Sequence, residues 1–354
     1  MAPNVSCRRA RSNLRVFFTE IQPVHVKAPR LLRGVFNMND FSQARIFLIA
    51  GTIVSYGLIF FMTSLTGFQV SVEGGLDIVP IAALVFFLAS ALATCFNFLT
   101  LRSMIECCGC GLLLVVPITI STYLSTWLNF PLADNQLSRW DKWLGVNWTA
   151  MMGWIDQHPL LSEALNKAYR SFGYQLLLCP ALLALAGHHG RAYQMVATYG
   201  LLCFLSSAIS IFFPALGTYS YYQFDASSLQ NIDPTYGYFF LEQFHAVRND
   251  PDFIWRLEDS AGILTFPSVH AAVAALCAWA LWPMRILRYP ALALNLAMGF
   301  SAIPGANHYV VDVIAGVVVA LAAIGFVTFA TGSSRQKSLA RPAPVGSVLV
   351  RSRS

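Results

Sequence analysis

The sequence has few charged residues. Only 11% of its 354 residues are Asp, Glu, Lys or Arg, whereas 56% are hydrophobic. A soluble domain is usually about one quarter charged, so this scarcity excludes an ordinary soluble protein and predicts an integral membrane protein. The formal net charge of +6 is too small to indicate a nucleic-acid partner.

The cysteines lack the spacing of a disulfide framework or a zinc site. Except for Cys7, the eight cysteines lie in or at the ends of apolar segments. Cys107, Cys108 and Cys110 are neighbours, but no second cluster with zinc spacing follows them. We interpret them as packing residues, and we expect neither a metal nor a cofactor.

We also expect no cleavable signal peptide, because the first 44 residues are basic and have no apolar core. The first apolar segment is therefore expected to act as an uncleaved anchor. Met38 is an alternative to Met1 as the start of the protein.

Eight apolar stretches approach the length of about 20 residues that a transmembrane helix needs. They lie at 45–67, 77–101, 107–130, 171–187, 193–216, 266–284, 291–303 and 308–330. We predict an all-α integral membrane protein with about eight transmembrane helices. With both termini in the cytoplasm, most Lys and Arg residues fall on the cytoplasmic side, which agrees with the positive-inside rule.

This topology divides the chain into five parts. They are a basic cytoplasmic N-terminal segment (1–44), three accessory transmembrane helices (45–130), a Trp-rich segment interpreted as a helix in the membrane interface (131–170), a helical bundle with the candidate site (171–330, including an outer loop at 217–265), and a basic cytoplasmic tail (331–354).

Two histidines are predicted to reach the same, non-cytoplasmic face of the membrane. His270 opens the sixth apolar stretch and His308 opens the eighth, so one helical hairpin separates them. Asp312 follows His308 by four residues and shares its helix face. An acid within a membrane helix indicates function. Its bond to one imidazole nitrogen would leave the other nitrogen basic.

The residues before His270 suggest what the histidines act on. Pro267 suits the first turn of a helix, and the free N–H groups around Ser268 with the helix dipole form an anion site. In one alternative, Pro267 and Ser268 only start and cap the helix and His270 is incidental. In another, His270, His308 and Asp312 hold zinc, which would leave Pro267 and Ser268 unexplained.

These motifs resemble those of the PAP2 (type 2 phosphatidic acid phosphatase) superfamily. PSVH at 267–270 is similar to its second motif, and HYVVD at 308–312 to its third. The surrounding FPSVHAA and NHYVVDVIAG, with FFPALGTY at 212–219, look most like the inositol-phosphorylceramide-synthase branch.

The resemblance implies a PAP2-type helical bundle and a metal-independent phosphohistidine mechanism. The resemblance implies that His308 attacks phosphorus, that Asp312 orients the His308 ring, and that His270 protonates the leaving oxygen. The Ser268 hydroxyl would bind phosphate oxygens.

The sequence departs from the superfamily in its cations. The first motif, Lys-x6-Arg-Pro, is missing, and Ala302 stands where an arginine is usual six residues before the nucleophile. We expect Arg248, or failing it Arg256, to bind the phosphate instead.

The resemblance also implies the substrates. It favours transfer of a phosphoryl or phospho-head group from a phospholipid to a hydroxyl lipid in a membrane, at an active site on the periplasmic or luminal side. Hydrolysis of a lipid phosphate or diphosphate, with water as the acceptor, uses the same residues and stays an alternative. A catalytically silent membrane scaffold or permeation protein is a third alternative, of a different class.

Overall fold

The structure is a computed structural model that describes residues 30–332, with side chains from Gln43 onwards. Most of the predicted basic N-terminal segment and most of the predicted cytoplasmic tail lie outside these residues. The elements that surround the candidate site belong to one compact unit that begins at Asn39.

The described residues are mostly helical. In chain order the helices are α1 (Arg30–Thr66), α2 (Ile78–Cys95), α3 (Leu99–Trp127), α4 (Asp134–Trp143), α5 (Trp148–Asp156), α6 (Pro159–Leu185), α7 (His189–Ser210), α8 (Thr218–Tyr221), α9 (Thr235–Tyr238), α10 (Leu241–Asn249), α11 (Val269–Leu281), α12 (Arg288–Gly305) and α13 (Val310–Gly332). A 3-10 turn (Ala226–Ser228) and two short strands, β1 (Gln69–Val70) and β2 (Ile254–Trp255), interrupt them.

Within the described residues, five helices are long and apolar enough to cross a membrane. They are α1 from Gln43 onwards, α2, α3, α7 and α13. The predicted stretches 171–187, 266–284 and 291–303 fall in α6, α11 and α12. Of these, α11 is apolar but only 13 residues long. The all-helical membrane fold is thus supported, while the count of about eight spans stays a prediction.

Helix α11 lies among the other helices of the predicted bundle and contacts α6, α7, α12 and α13. Its sequence VHAAVAALCAWAL is rich in alanine, and small side chains allow helix backbones to approach closely. Ala271, Ala272, Val273, Leu276 and Cys277 are fully buried there. The candidate histidine at its start is therefore attached to a helix that packs closely against four others.

The Trp-rich segment differs from the single interfacial helix that we predicted. It consists of α4, α5 and the first part of α6, which begins at Pro159. Trp143 is 84% exposed, but Trp148 is only 2% exposed and packs against the rings of Tyr219 and Tyr222. An interfacial position stays a prediction for this segment, and buried Trp148 does not fit it.

An ionic cluster joins the accessory helices to the bundle. Glu106 of α3 accepts two hydrogen bonds from Arg45 of α1, at 2.7 and 2.8 Å, and one from Arg102 at 3.1 Å. Ser90 of α2 and Tyr193 of α7 each donate a further hydrogen bond of 2.6 Å. One buried carboxylate thus connects four helices.

Candidate functional site

His308, two residues before α13, lies beside Asp312 in the first turn of that helix. Asp312 is fully buried and His308 is 4% exposed. The His308 Nδ1 atom lies 3.1 Å from Asp312 Oδ2, which also accepts the Tyr309 N–H at 2.9 Å. Because the carboxylate accepts, Nδ1 carries the proton and Nε2 is the basic nitrogen. The predicted pair is therefore formed as the i, i+4 spacing indicated.

Ser268 caps the start of α11 and links it to α13. Its Oγ accepts the Ala271 N–H at 3.4 Å, and its own N–H donates to the Asp312 carbonyl at 3.0 Å. Ser268 is fully buried. Its hydroxyl therefore satisfies its own helix, and the predicted phosphate contact of this hydroxyl stays a prediction.

A glycine allows the two motif helices to approach this closely. A Cβ atom added to Gly316 of α13 would lie 2.1 Å from the carbonyl oxygen of Ser268. No side chain fits in that space without a shift of backbone. The relative position of the two motifs thus depends on a residue that neither motif contains.

The His270 imidazole is held between aromatic rings. Its centroid lies 4.2 Å from that of Tyr169, with 11° between the ring planes, and 4.3 Å from that of Phe172. Both partners belong to α6. This packing fixes the plane of the ring without using its nitrogen atoms, which remain available for proton transfer.

Both imidazoles line one cavity of about 400 Å³. Its walls come from α3, α6, α7, α9, the start of α11 and the loop before it. The lining residues are Val115, Ile118, Thr119, Thr122, Tyr169, Phe172, Tyr199, Cys203, Tyr236, Phe240, Leu257, Ser260, Ala261, Gly262, Leu264, Thr265, Val269, His270, Ala306 and His308. The volume is that of a small-molecule site, and this lining is apolar and hydroxyl-rich, without lysine or arginine.

The first turn of α11 faces this cavity. Val269 and His270 both line it, and among the described residues no acceptor is found for their backbone N–H groups. Unpaired N–H groups at the positive end of a helix favour an anion. In α13, by contrast, the first two N–H groups are bonded to the Asp141 carboxylate.

The structure does not bring the two predicted cations to the cavity. Arg248 Nη2 donates to the Phe130 carbonyl at 2.9 Å, and the guanidinium lies 5.5 Å from the centroid of the Phe244 ring. Arg256 is exposed, in the loop just before the lining residues Leu257 and Ser260. Arg248 Nη1 is buried without a hydrogen-bond partner, but Arg248 is not among the residues that line the cavity.

The zinc alternative has no support in the described part of the chain. No three His, Cys, Asp or Glu side chains there lie close enough together to hold a metal ion.

Sequence reasoning missed two buried aspartates of α4 that contact the chain around His308. Asp134 and Asp141 are 5% and 1% exposed. Burial raises the pKa of both carboxyls, and the N–H groups that donate to them oppose the rise. Their seven-residue spacing puts both on one helix face and could have indicated a shared role. The tryptophans of the segment led to an interpretation as an interfacial helix instead.

Asn307, just before His308, was missed as well. Its backbone is left-handed, with φ at 67°, which asparagine tolerates better than most residues. The side chain accepts the Tyr219 N–H and donates to the carbonyls of Leu216 and Gly237. The residue thus ties the outer loop to the start of the His308 turn.

Comparison with known proteins identifies a family. A family model described as the PAP2 superfamily matches residues 135–326, which is somewhat more than half of the chain and includes both histidines and Asp312. No curated protein and no solved structure matches the chain significantly.

Proposed function

The chain belongs to the PAP2 superfamily of phosphatases and phosphotransferases, and from this premise we propose that it is a membrane-embedded lipid phosphotransferase. It moves a phosphoryl or phospho-head group from a phospholipid to a hydroxyl acceptor. One observation carries the proposal: His270 at the start of α11 and His308 just before α13 line the same cavity, with Asp312 bonded to His308.

The reaction proceeds in two steps. His308 Nε2 attacks phosphorus, the N–P bond forms, and the bond from phosphorus to the leaving oxygen breaks as His270 gives that oxygen a proton. The acceptor hydroxyl then attacks phosphorus and passes its proton to His270. The N–P bond breaks and both histidines return to their starting states. No metal is needed for either step.

Each residue has a physical reason for its role. The Asp312 carboxylate holds the Nδ1 proton of His308 and stabilises the positive charge that develops on the ring. The stacked rings of Tyr169 and Phe172 keep His270 in one orientation. The unpaired N–H groups of Val269 and His270 supply hydrogen bonds to the phosphate oxygens.

Arg248 and Arg256 are the proposed cations at the phosphate, because they lie in the outer loop that leads into the cavity wall. In the described arrangement the unpaired N–H groups at the start of α11 supply the positive electrostatic potential instead.

Transfer and hydrolysis differ only in the acceptor that enters the cavity. A cavity lined by apolar and hydroxyl-bearing side chains suits a lipid alcohol better than isolated water, and this supports transfer as in the inositol-phosphorylceramide-synthase branch. Plain phosphatase activity on a lipid phosphate is the second candidate, because water reaches the same phosphorus.

The test measures what becomes of a labelled donor. Purified protein in detergent receives phosphatidate or phosphatidylinositol with a labelled phosphate, together with ceramide as the hydroxyl acceptor. A new phosphorylated lipid indicates transfer. Inorganic phosphate or a water-soluble phosphate ester indicates hydrolysis.

His308→Ala should reduce either activity at least about 10³-fold and prevent formation of an acid-labile phosphoenzyme. His188→Ala changes an exposed histidine outside the cavity and should behave like the parent. If His308→Ala turns over normally, the mechanism is wrong. Absence of both transfer and hydrolysis in the parent protein would instead favour a catalytically silent scaffold.

A further inference from the structure

Helix α4 holds the polypeptide on the C-terminal side of His308. Asp141 accepts the Val310 N–H on one carboxylate oxygen and the Val311 N–H on the other, each at 2.9 Å. These are the first two N–H groups of α13, which otherwise have no partner within their own helix. One carboxylate therefore fixes the position and direction of the turn that begins directly after His308 and Tyr309.

The same helix holds the chain beside Tyr309 with a second acid. Asp134 accepts the N–H groups of Leu216 and Gly217 at 3.0 and 2.9 Å and the Tyr309 hydroxyl at 3.1 Å. Every partner of both aspartates is a donor, which is the pattern of an ionised carboxylate. The outer loop and the His308 turn are thus attached to one face of α4.

The contacts leave the His308 backbone little freedom. Asn307 is bonded to the outer loop, Tyr309 to Asp134, and the next two residues to Asp141. The ring itself is bonded to Asp312. A nucleophile must be held near its reactive geometry, since a misplacement of about 1 Å can cost about 10²-fold in rate.

We infer that Asp141, supported by Asp134, is a positioning residue that aims His308 Nε2 into the cavity by anchoring the first turn of α13. The inference rests on the proposed function. It gives helix α4 of the Trp-rich segment a task in catalysis.

Asp141 also affects where an anion binds. Its charge lies at the positive end of α13 and offsets the attraction of that helix for phosphate. The start of α11, whose first-turn N–H groups face the cavity, is left as the anion-binding end. The phosphate and the attacking nitrogen are thereby assigned to different helices.

Asp141→Asn tests this inference. An amide keeps the shape of the side chain but turns a donor group towards one of the two N–H groups. We expect kcat per folded molecule to fall by about 10- to 100-fold, with KM within about threefold. The assay uses the labelled phospholipid that the parent protein turns over, and gel filtration with a thermal melt measures the folded fraction.

Asp156→Asn is the matched control. Asp156 of α5 also accepts backbone N–H groups, from Gln230, Asn231 and Ile232, but it does not contact the His308 turn. Its kcat should stay within about threefold of the parent value. A role limited to folding would lower the folded fraction of both variants and leave kcat per folded molecule unchanged.

If Asp141→Asn does not fold, Tyr309→Phe tests whether anchoring the His308 turn to α4 affects kcat. It removes one hydroxyl that donates to Asp134 and should lower kcat by about three- to tenfold. Parent-like kcat in every folded variant at these positions overturns the inference. Activity in His308→Ala would overturn the proposed function instead, so the two failures are distinguishable.

Discussion

Gly316 is as important to the site as the motif residues. The Ser268 carbonyl occupies the space where a side chain at position 316 would begin, and the Ser268 N–H is bonded to the Asp312 carbonyl. Any side chain at this position pushes α11 away from α13. Because His270 moves with one helix and His308 with the other, the two imidazoles would separate.

Gly316→Ala should therefore reduce kcat by about 10²-fold and lower the free energy of unfolding by about 1–3 kcal/mol through overpacking. Gly325→Ala is the control in the same helix, since no atom lies within 4 Å of a Cβ added there. That control should be neutral or stabilising by up to about 1 kcal/mol. Equal effects of the two changes would contradict this explanation.

Some of these residues could be predicted from the sequence and others could not. The pairing of His308 with Asp312 follows from helix periodicity, and its nearness to His270 follows from a hairpin between two apolar segments. Asp141 binds backbone N–H groups that lie 169 and 170 residues away in the sequence. Backbone N–H groups belong to every residue type except proline. The pattern of side chains in the sequence therefore does not indicate which of these groups Asp141 binds.

Helix α3 has a buried ionised side chain that needs several partners. Glu106 is 6% exposed, and a carboxylate without partners in that position would be costly. Arg45, Arg102, Ser90 and Tyr193 supply those partners. The accessory helices are thus joined to the bundle by charge as well as by packing.

Glu106→Gln should destabilise the protein by about 2 kcal/mol or more, because it leaves the Arg45 guanidinium without its bidentate partner. The readout is the melting temperature in detergent. Glu163→Gln removes an exposed ion pair with Lys167 and should leave that temperature unchanged. Similar melting shifts in both variants would show that the cluster has no special role.

Helix ends were harder to predict than helix existence. Hydropathy placed one segment at 171–187, yet α6 begins at Pro159. The residues from 159 to 170 include Glu163, Lys167 and Arg170, which are polar but form helix readily. An apolar window finds the part of a helix suited to lipid, whereas backbone hydrogen bonding continues beyond it.

For the whole molecule, the orientation in the membrane remains a prediction that rests on Lys and Arg counts. It assigns the outer loop at 217–265 and the turn at 285–290 to opposite sides. Both regions have exposed positions, among them Ser227 and Arg285.

Cysteine labelling in intact cells checks this topology. In a variant without the eight native cysteines, Ser227→Cys should react with a membrane-impermeant maleimide, and Arg285→Cys should react only after permeabilisation. As a control, both cysteines are first blocked with an unlabelled thiol reagent in the absence of denaturant. Labelling should then be lost at both positions, which shows that the maleimide had reacted with these cysteines. The reverse pattern of accessibility would contradict a non-cytoplasmic active site.

The pairing of β1 with β2 has a further consequence for the accessory helices. The chain between α1 and α2 runs beside Ile254 and Trp255, and the Ser71 N–H donates to the Trp255 carbonyl at 2.9 Å. Leu257, two residues after Trp255, lines the cavity. A truncated protein that starts near Leu99 would leave main-chain groups of β2 unpaired just before the cavity wall. The segment from α1 to α2 therefore belongs in any shortened form of the protein that is meant to keep this cavity.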